Sequence, residues 1–435
     1  MMKNNSVKKA AFLFLFSAVC AVNILAAADT AIGFETLLKS FGLFRDPNAG
    51  LTSFRSLYIP IGGRSEAMGS AFTAMSDDAS FFEYNPAASS VLNQTETAFF
   101  HNFWIADSAV DTLLFTTRTK NLGYGGALKS FYIPFTEYTI FGERASTGYY
   151  SETTAMLNVS YNFFAGYTFK GLAVGGNLKT SFRSVPDYSE NISGKILKKS
   201  GLSQSGLALI ADAGILMRFN LAKFYALREP NFNIGAAVHN VGYAWTGFGK
   251  KTTADHPPPS YASAGITYRL IKPLILAFEF QYPFNMYRPS KAELPSGSVG
   301  AEFRFTDFFA VQSGFLLRGG NPKISLGSSF NWKSMIFNVS YSFDLTSSAA
   351  PLNRISLGAK LQLGDGGRAV LEKRVDNLYA EGLRLYAQDE LEKAVETWQE
   401  VLKMSPGFDP AKKGIKAAKK TLKLRREIRD IQKLN

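Results

Sequence analysis

The sequence predicts an all-β transmembrane barrel of about fourteen antiparallel strands, preceded by a hatch and followed by a small α-helical domain. Three observations carry this expectation. From about residue 97 to residue 364, runs of nine or more residues alternate between apolar and small or polar side chains. Strand side chains point to opposite faces in turn, so each run has one greasy and one wet face. The runs are about 9–11 residues long, the length a tilted strand needs to cross a bilayer. The connections between them alternate between a few residues and long polar or Pro-rich stretches, as turns at one rim and loops at the other would.

The first 28 residues read as a secretory signal, with Lys3, Lys8 and Lys9, an apolar stretch from Ala10 to Leu25, and Ala26-Ala27-Ala28 before Asp29. The mature protein is therefore expected to be exported. Cys20 is the only cysteine and falls inside the apolar stretch, which leaves the mature chain neither a disulfide framework nor a cysteine metal site. A lipoprotein reading of Cys20 is the alternative, though Ser17-Ala18-Val19 lacks the usual flanking pattern. No other run reaches the length of a membrane helix, so a spanning protein with this sequence spans as a closed barrel.

Residues 29–95 are then the expected hatch and residues 96–364 the barrel. In the run Leu274–Tyr282, residues Leu274, Leu276, Phe278, Phe280 and Tyr282 share one face, and Ile275, Ala277, Glu279 and Gln281 share the other. In Ile336–Leu345, Phe337, Val339, Tyr341, Phe343 and Leu345 oppose Asn338, Ser340, Ser342 and Asp344. The strands are expected at 96–104, 109–118, 122–132, 153–168, 171–184, 205–220, 231–242, 260–270, 274–286, 297–306, 308–318, 323–332, 335–345 and 354–364. Connections at 119–121, 169–170, 271–273, 307 and 333–334 are short, with 221–230 the exception, and those at 133–152, 185–204, 243–259 and 287–296 are long. An even strand number puts both chain ends at the short-turn rim, periplasmic in an outer membrane. A secreted β-sandwich alternates in the same way. Strand length, loop asymmetry and the aromatics Tyr161, Phe163, Tyr282, Tyr341 and Phe343 near strand ends favour the barrel.

The composition agrees, with 37 Phe for a lipid-facing belt and 37 Gly for a crowded wall. The formal charge of +13 includes the signal lysines and a basic tail from Lys412 to Lys433. Export argues against nucleic acid as the partner of that tail.

Between the signal and the first strand, Arg64 to Ala87 is a run of small residues interrupted by Met68, Phe72, Met75, Phe81 and Phe82, with turns at Asp77-Asp78 and Asn85-Pro86. It is too small-sided and irregular for a lipid-facing strand and reads as a plug folded inside a lumen. Its elements Met68-Gly69-Ser70-Ala71-Phe72-Thr73-Ala74, Asp77-Asp78-Ala79-Ser80 and Asn85-Pro86-Ala87 resemble the N-terminal hatch of FadL-type transporters of hydrophobic compounds, and more closely its PorV-like branch. The resemblance covers roughly 25 residues, and the fourteen strands extend it to the barrel. It implies an outer-membrane barrel with a plugged lumen that passes hydrophobic ligands such as long-chain fatty acids. PorV-like members serve secretion and surface attachment, so a platform that recruits exported or periplasmic proteins stays open beside transport. About thirty extra residues before Arg64, and a last strand that runs on into helices, depart from the family pattern.

After Gly364-Asp365-Gly366-Gly367 the period becomes helical, and residues 365–435 are expected as a periplasmic domain. Asp376–Tyr386 and Leu391–Met404 read as paired helices, with a basic helix from Pro410. Gly382, Leu385, Ala394, Trp398, Val401 and Pro406 fall at the spacing of one tetratricopeptide repeat. A lone repeat needs something to pack on, a periplasmic partner or the barrel base.

The remaining candidates mostly have plain structural readings. Asp77, Asp78 and Glu83 read first as a capped turn and second as a cation site. His101, His239 and His256 lack ligand spacing, so no metal and no cofactor is expected. Gly123-Tyr124-Gly125-Gly126 reads as strand wall, and without a Gly-x-Ser-x-Gly elbow the chain does not read as an enzyme. Glu279, Glu302, Arg304 and Lys360 face inward and read as solvating a lumen, alternatively as lining a permeation route. Small inward residues leave space there, for which Phe72, Phe81 and Phe82 supply a greasy lining, and Phe34, Leu37, Leu38 and Phe41 pack within the hatch or touch a ligand tail. The expected partners are outer-membrane lipid and a hydrophobic small molecule, with a periplasmic protein at the helical domain. Lys412, Lys413, Lys416, Lys419, Lys420, Lys423, Arg425, Arg426 and Arg429 read as a solvated helix face, alternatively as one drawn to an anionic envelope surface.

Overall fold

In a computed structural model, which describes residues 46–434 apart from 106, 191, 227, 249–255 and 346–353, fourteen strands close into one antiparallel barrel. The signal, Cys20, Phe34, Leu37, Leu38 and Phe41 lie outside the described residues. The strands are β1 (Thr95–Phe103), β2 (Ala109–Thr119), β3 (Leu122–Tyr138), β4 (Arg144–Phe163), β5 (Leu172–Ser184), β6 (Gly206–Phe219), β7 (Phe232–Thr246), β8 (Tyr261–Ile271), β9 (Leu274–Pro283), β10 (Ser296–Thr306), β11 (Phe309–Arg318), β12 (Asn321–Trp332), β13 (Met335–Asp344) and β14 (Arg354–Gly364). Each pairs with its sequence neighbours, and β1 closes on β14 from Thr95 opposite Gly364 to Phe103 opposite Ile355. Closure leaves no free sheet edge, which is the condition for a sheet in hydrocarbon.

The alternation resolves into an apolar outside and a polar inside. On β9, Phe278, Phe280 and Tyr282 are exposed on the outer wall while Glu279 and Gln281 are buried within. On β4, Leu157, Val159, Tyr161 and Phe163 are exposed while Asn158, Ser160 and Asn162 are buried. Water has no reason to tolerate so continuous an apolar belt; acyl chains do, and this is a transmembrane barrel. The expected loop at 133–152 is instead regular structure: β3 and β4 run on as a paired ribbon to Tyr138 and Arg144. Its tip is fastened by the Thr139 amide donating to the Glu143 carbonyl at 2.8 Å, and Glu137 accepts from Ser189 of the neighbouring loop. The polar composition of that stretch concealed strands standing clear of the belt.

The core of the molecule is inside the barrel. Residues 54–92 fill the lumen as one four-residue helix, α1 (Arg64–Ala67), and three short 3-10 turns. Met68, Phe72, Phe81, Phe82 and Leu92 of this segment are fully buried. The wall receives the segment with glycines. A Cβ on Gly314 would stand 2.0 Å from the Gly69 nitrogen, one on Gly175 2.4 Å from the Pro86 carbonyl oxygen, and one on Gly123 2.2 Å from the Ser89 carbonyl carbon. Small inward residues therefore do not leave the lumen open, as the sequence suggested. They let the wall and the segment touch backbone to backbone. Gly69 is fixed from both sides, by a φ of +65° and by Phe315, whose backbone nitrogen would lie 2.8 Å from any Cβ there.

Three helices follow β14: α2 (Arg368–Ala387), α3 (Leu391–Met404) and α4 (Asp409–Leu434). Gly382 lets α2 approach the Trp398 indole of α3, where an added Cβ would sit 2.3 Å from Nε1. Ala394, Val401 and Trp398 are buried at this contact, Leu385 packs against it, and Pro406 stays exposed in the turn before α4. The bundle is tied to the short-turn rim. Arg368 donates to the carbonyls of Arg118 and Asn93, Arg228 pairs with Asp376 at 2.8 Å, and the Tyr167 amide donates to the Gly407 carbonyl at 3.0 Å.

Two glycine substitutions separate these packings. Gly314→Leu is expected to push the interior segment off the wall, to cost about 3 kcal/mol and to open Arg64 to trypsin. Gly382→Leu is expected to loosen the helices while the barrel's melting midpoint, followed by heat-shifted gel mobility, stays at the wild-type value.

Candidate functional site

The interior segment has irregular backbone, and the wall supplies its hydrogen bonds. Glu279 of β9 accepts the Phe72 and Thr73 amides at 2.7 and 2.8 Å. Asn177 of β5 donates to the Phe82 carbonyl at 2.9 Å, and Asn158 of β4 donates to that of Pro86 at 3.0 Å. Asn85 caps the turn Pro86–Ser90 by accepting the Ala87 amide, and its Nδ2 donates to the Thr73 and Ile215 carbonyls at 2.8 and 2.9 Å. Asp78 caps Ala79–Glu83 by accepting the Ser80 amide at 2.9 Å. The plain reading of both turns as capped turns is what the structure contains.

An ion network then fastens the segment. The buried Arg64 guanidinium meets Glu302 of β10 at 2.5 Å, Asp77 at 2.8 Å and Asp78 at 3.5 Å, and Lys360 of β14 pairs with Asp78. Taking the Asp77 and Asp78 carboxylates out of water is costly. Arg64 compensates that cost at Asp77, and Lys360 with Arg64 compensates it at Asp78. On the opposite side Glu83 pairs with Lys129 of β3. The expectation that Glu279, Glu302 and Lys360 solvate an open lumen is thus corrected: each is committed to the segment. Arg304 differs, half exposed at the short-turn rim with Glu302 at 3.6 Å. His239 is buried in the wall near Asp212, itself paired with Lys179 at 2.6 Å. Among the described residues no group of His, Cys, Asp and Glu is arranged to hold a metal.

Among the described residues, two sizeable chambers flank the segment. The one toward the long loops has a volume of about 390 Å³ and is lined by Tyr58, Trp104, Phe131 and Tyr261, with the cations Arg55, Arg318, Lys323 and Arg354 set among the carboxylates of Asp46, Glu66, Glu83 and Glu293. Arg354 lies over the Trp104 ring at 4.1 Å and Arg318 over Tyr58 at 4.9 Å. The Arg354 Nε is buried without a hydrogen-bond partner, with the Glu66 carboxylate 3.6 Å away. The other chamber, toward the short turns, has about 300 Å³ and is lined by Arg64, Asp77, Asp78, Glu96, Arg269, Glu302 and Lys360. Met68, Gly69, Ala71, Phe72, Asp77, Asp78, Asn85, Pro86 and Ala87 all sit in the segment between them. Phe72, Phe81 and Phe82 line neither chamber: Phe81 and Phe82 stack on each other at 4.7 Å, and Phe72 packs on Tyr84 at 5.4 Å. The greasy lining falls instead to Trp104, Phe131 and Tyr261, which sequence reasoning missed because each is one aromatic among many in strands and their ends.

A model of the uncharacterised protein family UPF0164 matches residues 39–366, which take in the interior segment and the barrel. A UPF0164 protein of Treponema pallidum (strain Nichols) is 32% identical over 391 residues, 87% of this chain and 85% of its own. A second from the same organism is 28% identical over 402 residues, 87% and 78% of the two chains. Among solved structures, the Pseudomonas putida toluene transporter TodX aligns with a TM-score of 0.46 at 12% identity, over 68% of this chain and 95% of that one. The monoaromatic hydrocarbon channel CymD aligns with a TM-score of 0.45 at 14% identity, over 70% and 98%.

The Asp78–Lys360 pair is open to a double-mutant cycle. Asp78→Asn leaves the buried Lys360 without its carboxylate and is expected to cost about 3–5 kcal/mol in denaturant unfolding of the detergent-solubilised barrel, and Lys360→Met, which leaves Asp78 with Arg64 alone, is expected to cost less. The double variant is expected to lose less than the sum of the two. Strictly additive losses would mean that the contact does not couple segment to wall.

Proposed function

We propose that this chain, which belongs to the uncharacterised protein family UPF0164, is an outer-membrane barrel that binds hydrophobic small molecules such as long-chain fatty acids and passes them across the membrane. In this reading the interior segment is the hatch, the short-turn rim and helices α2–α4 face the periplasm, and the long loops face outward. The observation that carries it is the loop-side chamber. Its volume of about 390 Å³ lies in the range of small-molecule pockets, and Tyr58, Trp104, Phe131 and Tyr261 give it apolar surface above a filled lumen. An acyl chain against these rings gains roughly 0.8 kcal/mol per buried methylene. Its carboxylate suits Arg354, whose Nε has a donor to spare.

A second reading, a platform that recruits exported or periplasmic proteins, is favoured by a different observation. The β3–β4 ribbon stands clear of the belt and ends in exposed Tyr138, Ile140 and Phe141. In that case the barrel is a closed anchor and its two ends do the recognising.

Mass spectrometry of lipids co-purifying with the detergent-extracted protein, paired with fatty-acid uptake by cells lacking it, decides between them. Transport predicts a bound acyl chain and reduced uptake, and Trp104→Ala with Phe131→Ala should lower ligand retention about tenfold, on the order of 1–2 kcal/mol of lost apolar contact. An empty protein together with normal uptake would sink transport, and an exported protein in the purified complex would favour the platform.

A further inference from the structure

The helical domain has a face that its own packing does not use. Helix α4 turns Ala411, Ile415 and Ala418 toward Trp398 and the α2–α3 pair. At 100° per residue, Lys413, Lys416 and Lys420 then fall on the opposite side, with Lys419 at its flank. In the chain from Asp409 to Leu434 ten lysines and arginines stand against three carboxylates. Those carboxylates are spent locally or outnumbered: Asp409 pairs with Lys412 at 3.6 Å and Glu427 with Lys423 at 3.7 Å. Arg425 is held by Asp389 at the α2–α3 turn. Lys413, Lys416, Lys419 and Lys420 are exposed and make no ion pair among the described residues. Toward the C-terminal end the same side of the helix carries Leu424 and Ile428, each about half exposed although apolar.

The place of this helix in the fold says what can meet it. Phe408, immediately before α4, packs on Tyr167 of the β4–β5 turn with ring centroids 4.7 Å apart, so α4 begins at the barrel's short-turn rim. That rim is where the apolar belt ends, marked by exposed Phe163, Phe164 and Phe169 beside Tyr167. Helix α2 is held to the rim at two separated points, by Arg368 at the start of β1 and the end of β2 and by Arg228 against Asp376 eight residues on. A straight helix with two such contacts runs across the mouth rather than directly away from it. The α2–α3 pair and the start of α4 are therefore anchored at the rim, the level at which the headgroups of the surrounding leaflet lie.

We propose that the outer face of α4 docks on anionic phospholipid headgroups of the leaflet that surrounds the short-turn rim. The lysines supply the attraction and Leu424 and Ile428 enter the interface, as basic amphipathic helices do. The contact fixes the helical domain relative to the membrane while the rim contacts fix it relative to the barrel. An acidic protein would meet the same charges, but the rim position and the apolar pair favour lipid.

The test uses the full-length protein reconstituted in nanodiscs of phosphatidylcholine alone or with about 30 per cent phosphatidylglycerol, with amine footprinting read by mass spectrometry. Labelling of Lys413, Lys416, Lys419 and Lys420 is expected to fall about three- to tenfold in the anionic discs and to recover near 1 M salt, where screening shortens to about 3 Å. Exposed Lys195 on the long-loop side serves as the reference. The variant Lys413→Glu, Lys416→Glu, Lys420→Glu should lose the protection of Lys419 without a change in barrel melting. Equal labelling in both disc types overturns the proposal. So does protection that occurs in native envelopes and not in anionic discs, which would assign the face to an acidic protein. These outcomes are independent of whether the barrel carries fatty acids.

Discussion

An irregular chain inside a barrel at membrane depth cannot leave its backbone groups to water, and this requirement shapes both the segment and the wall around it. Residues 54–92 hold little regular structure, so they cannot satisfy themselves as a helix would. The wall does it for them. Where the two backbones touch, the wall carries glycine, as at Gly123, Gly175 and Gly314. Where a bond must be made, it carries Asn or Glu, as at Asn158, Asn177 and Glu279. The inner face of the barrel is thus a template for one particular segment, and its composition is explained by contact rather than by contact with water.

Charges inside such a wall are costly unless paired, and here the pairing fixes position. Arg64 reaches β10 through Glu302, Asp78 reaches β14 through Lys360, and Glu83 reaches β3 through Lys129. Three anchors on separated strands determine where a rigid body sits, and neutral residues of the same volume would not. The same economy recurs at the rim, where Arg228 and Arg368 place the helices by bonds to Asp376 and to rim carbonyls.

Much of the barrel was legible because period-two alternation reports directly on a two-faced strand. All fourteen strands lie within a few residues of their expected places except β3 and β4, whose ribbon lacks an apolar face to betray it. The capped turns at Asp78 and Asn85 were legible too, since Asx side chains bond their own backbone two residues on. The contents of the lumen were not. Small inward residues look alike whether they border empty space or a neighbouring backbone, and only the folded barrel brings Gly314 against Gly69. Nor could sequence join Arg64 to Glu302, which lie 238 residues apart, or gather Trp104, Phe131 and Tyr261 around one chamber. Such residues are chosen by where the barrel closes, and closure is a property of the whole chain.

The template also constrains how anything could pass. Ejecting the whole segment would break its bonds to most strands at once, a loss no small ligand could offset. Helix α1 borders both chambers, with Arg64 lining the lower one and Glu66, two residues on, lining the upper. Gly62 and Gly63 precede this turn with φ of +101° and +67°, and Gly69 follows it at +65°. These conformations favour glycine, and they bracket Arg64 to Met68, five buried residues held to the wall by Arg64 at Glu302 and by Glu66 at Asn102 and Ser342. On the transport reading the path between chambers is therefore a shift of α1 alone, with the Asn85 and Glu279 attachments left in place. The Arg64 contacts to Glu302, Asp77 and Asp78 and the Glu66 contacts to Asn102, Ser342 and Arg354 then close the path together, and a ligand that opens it has to compensate both sets.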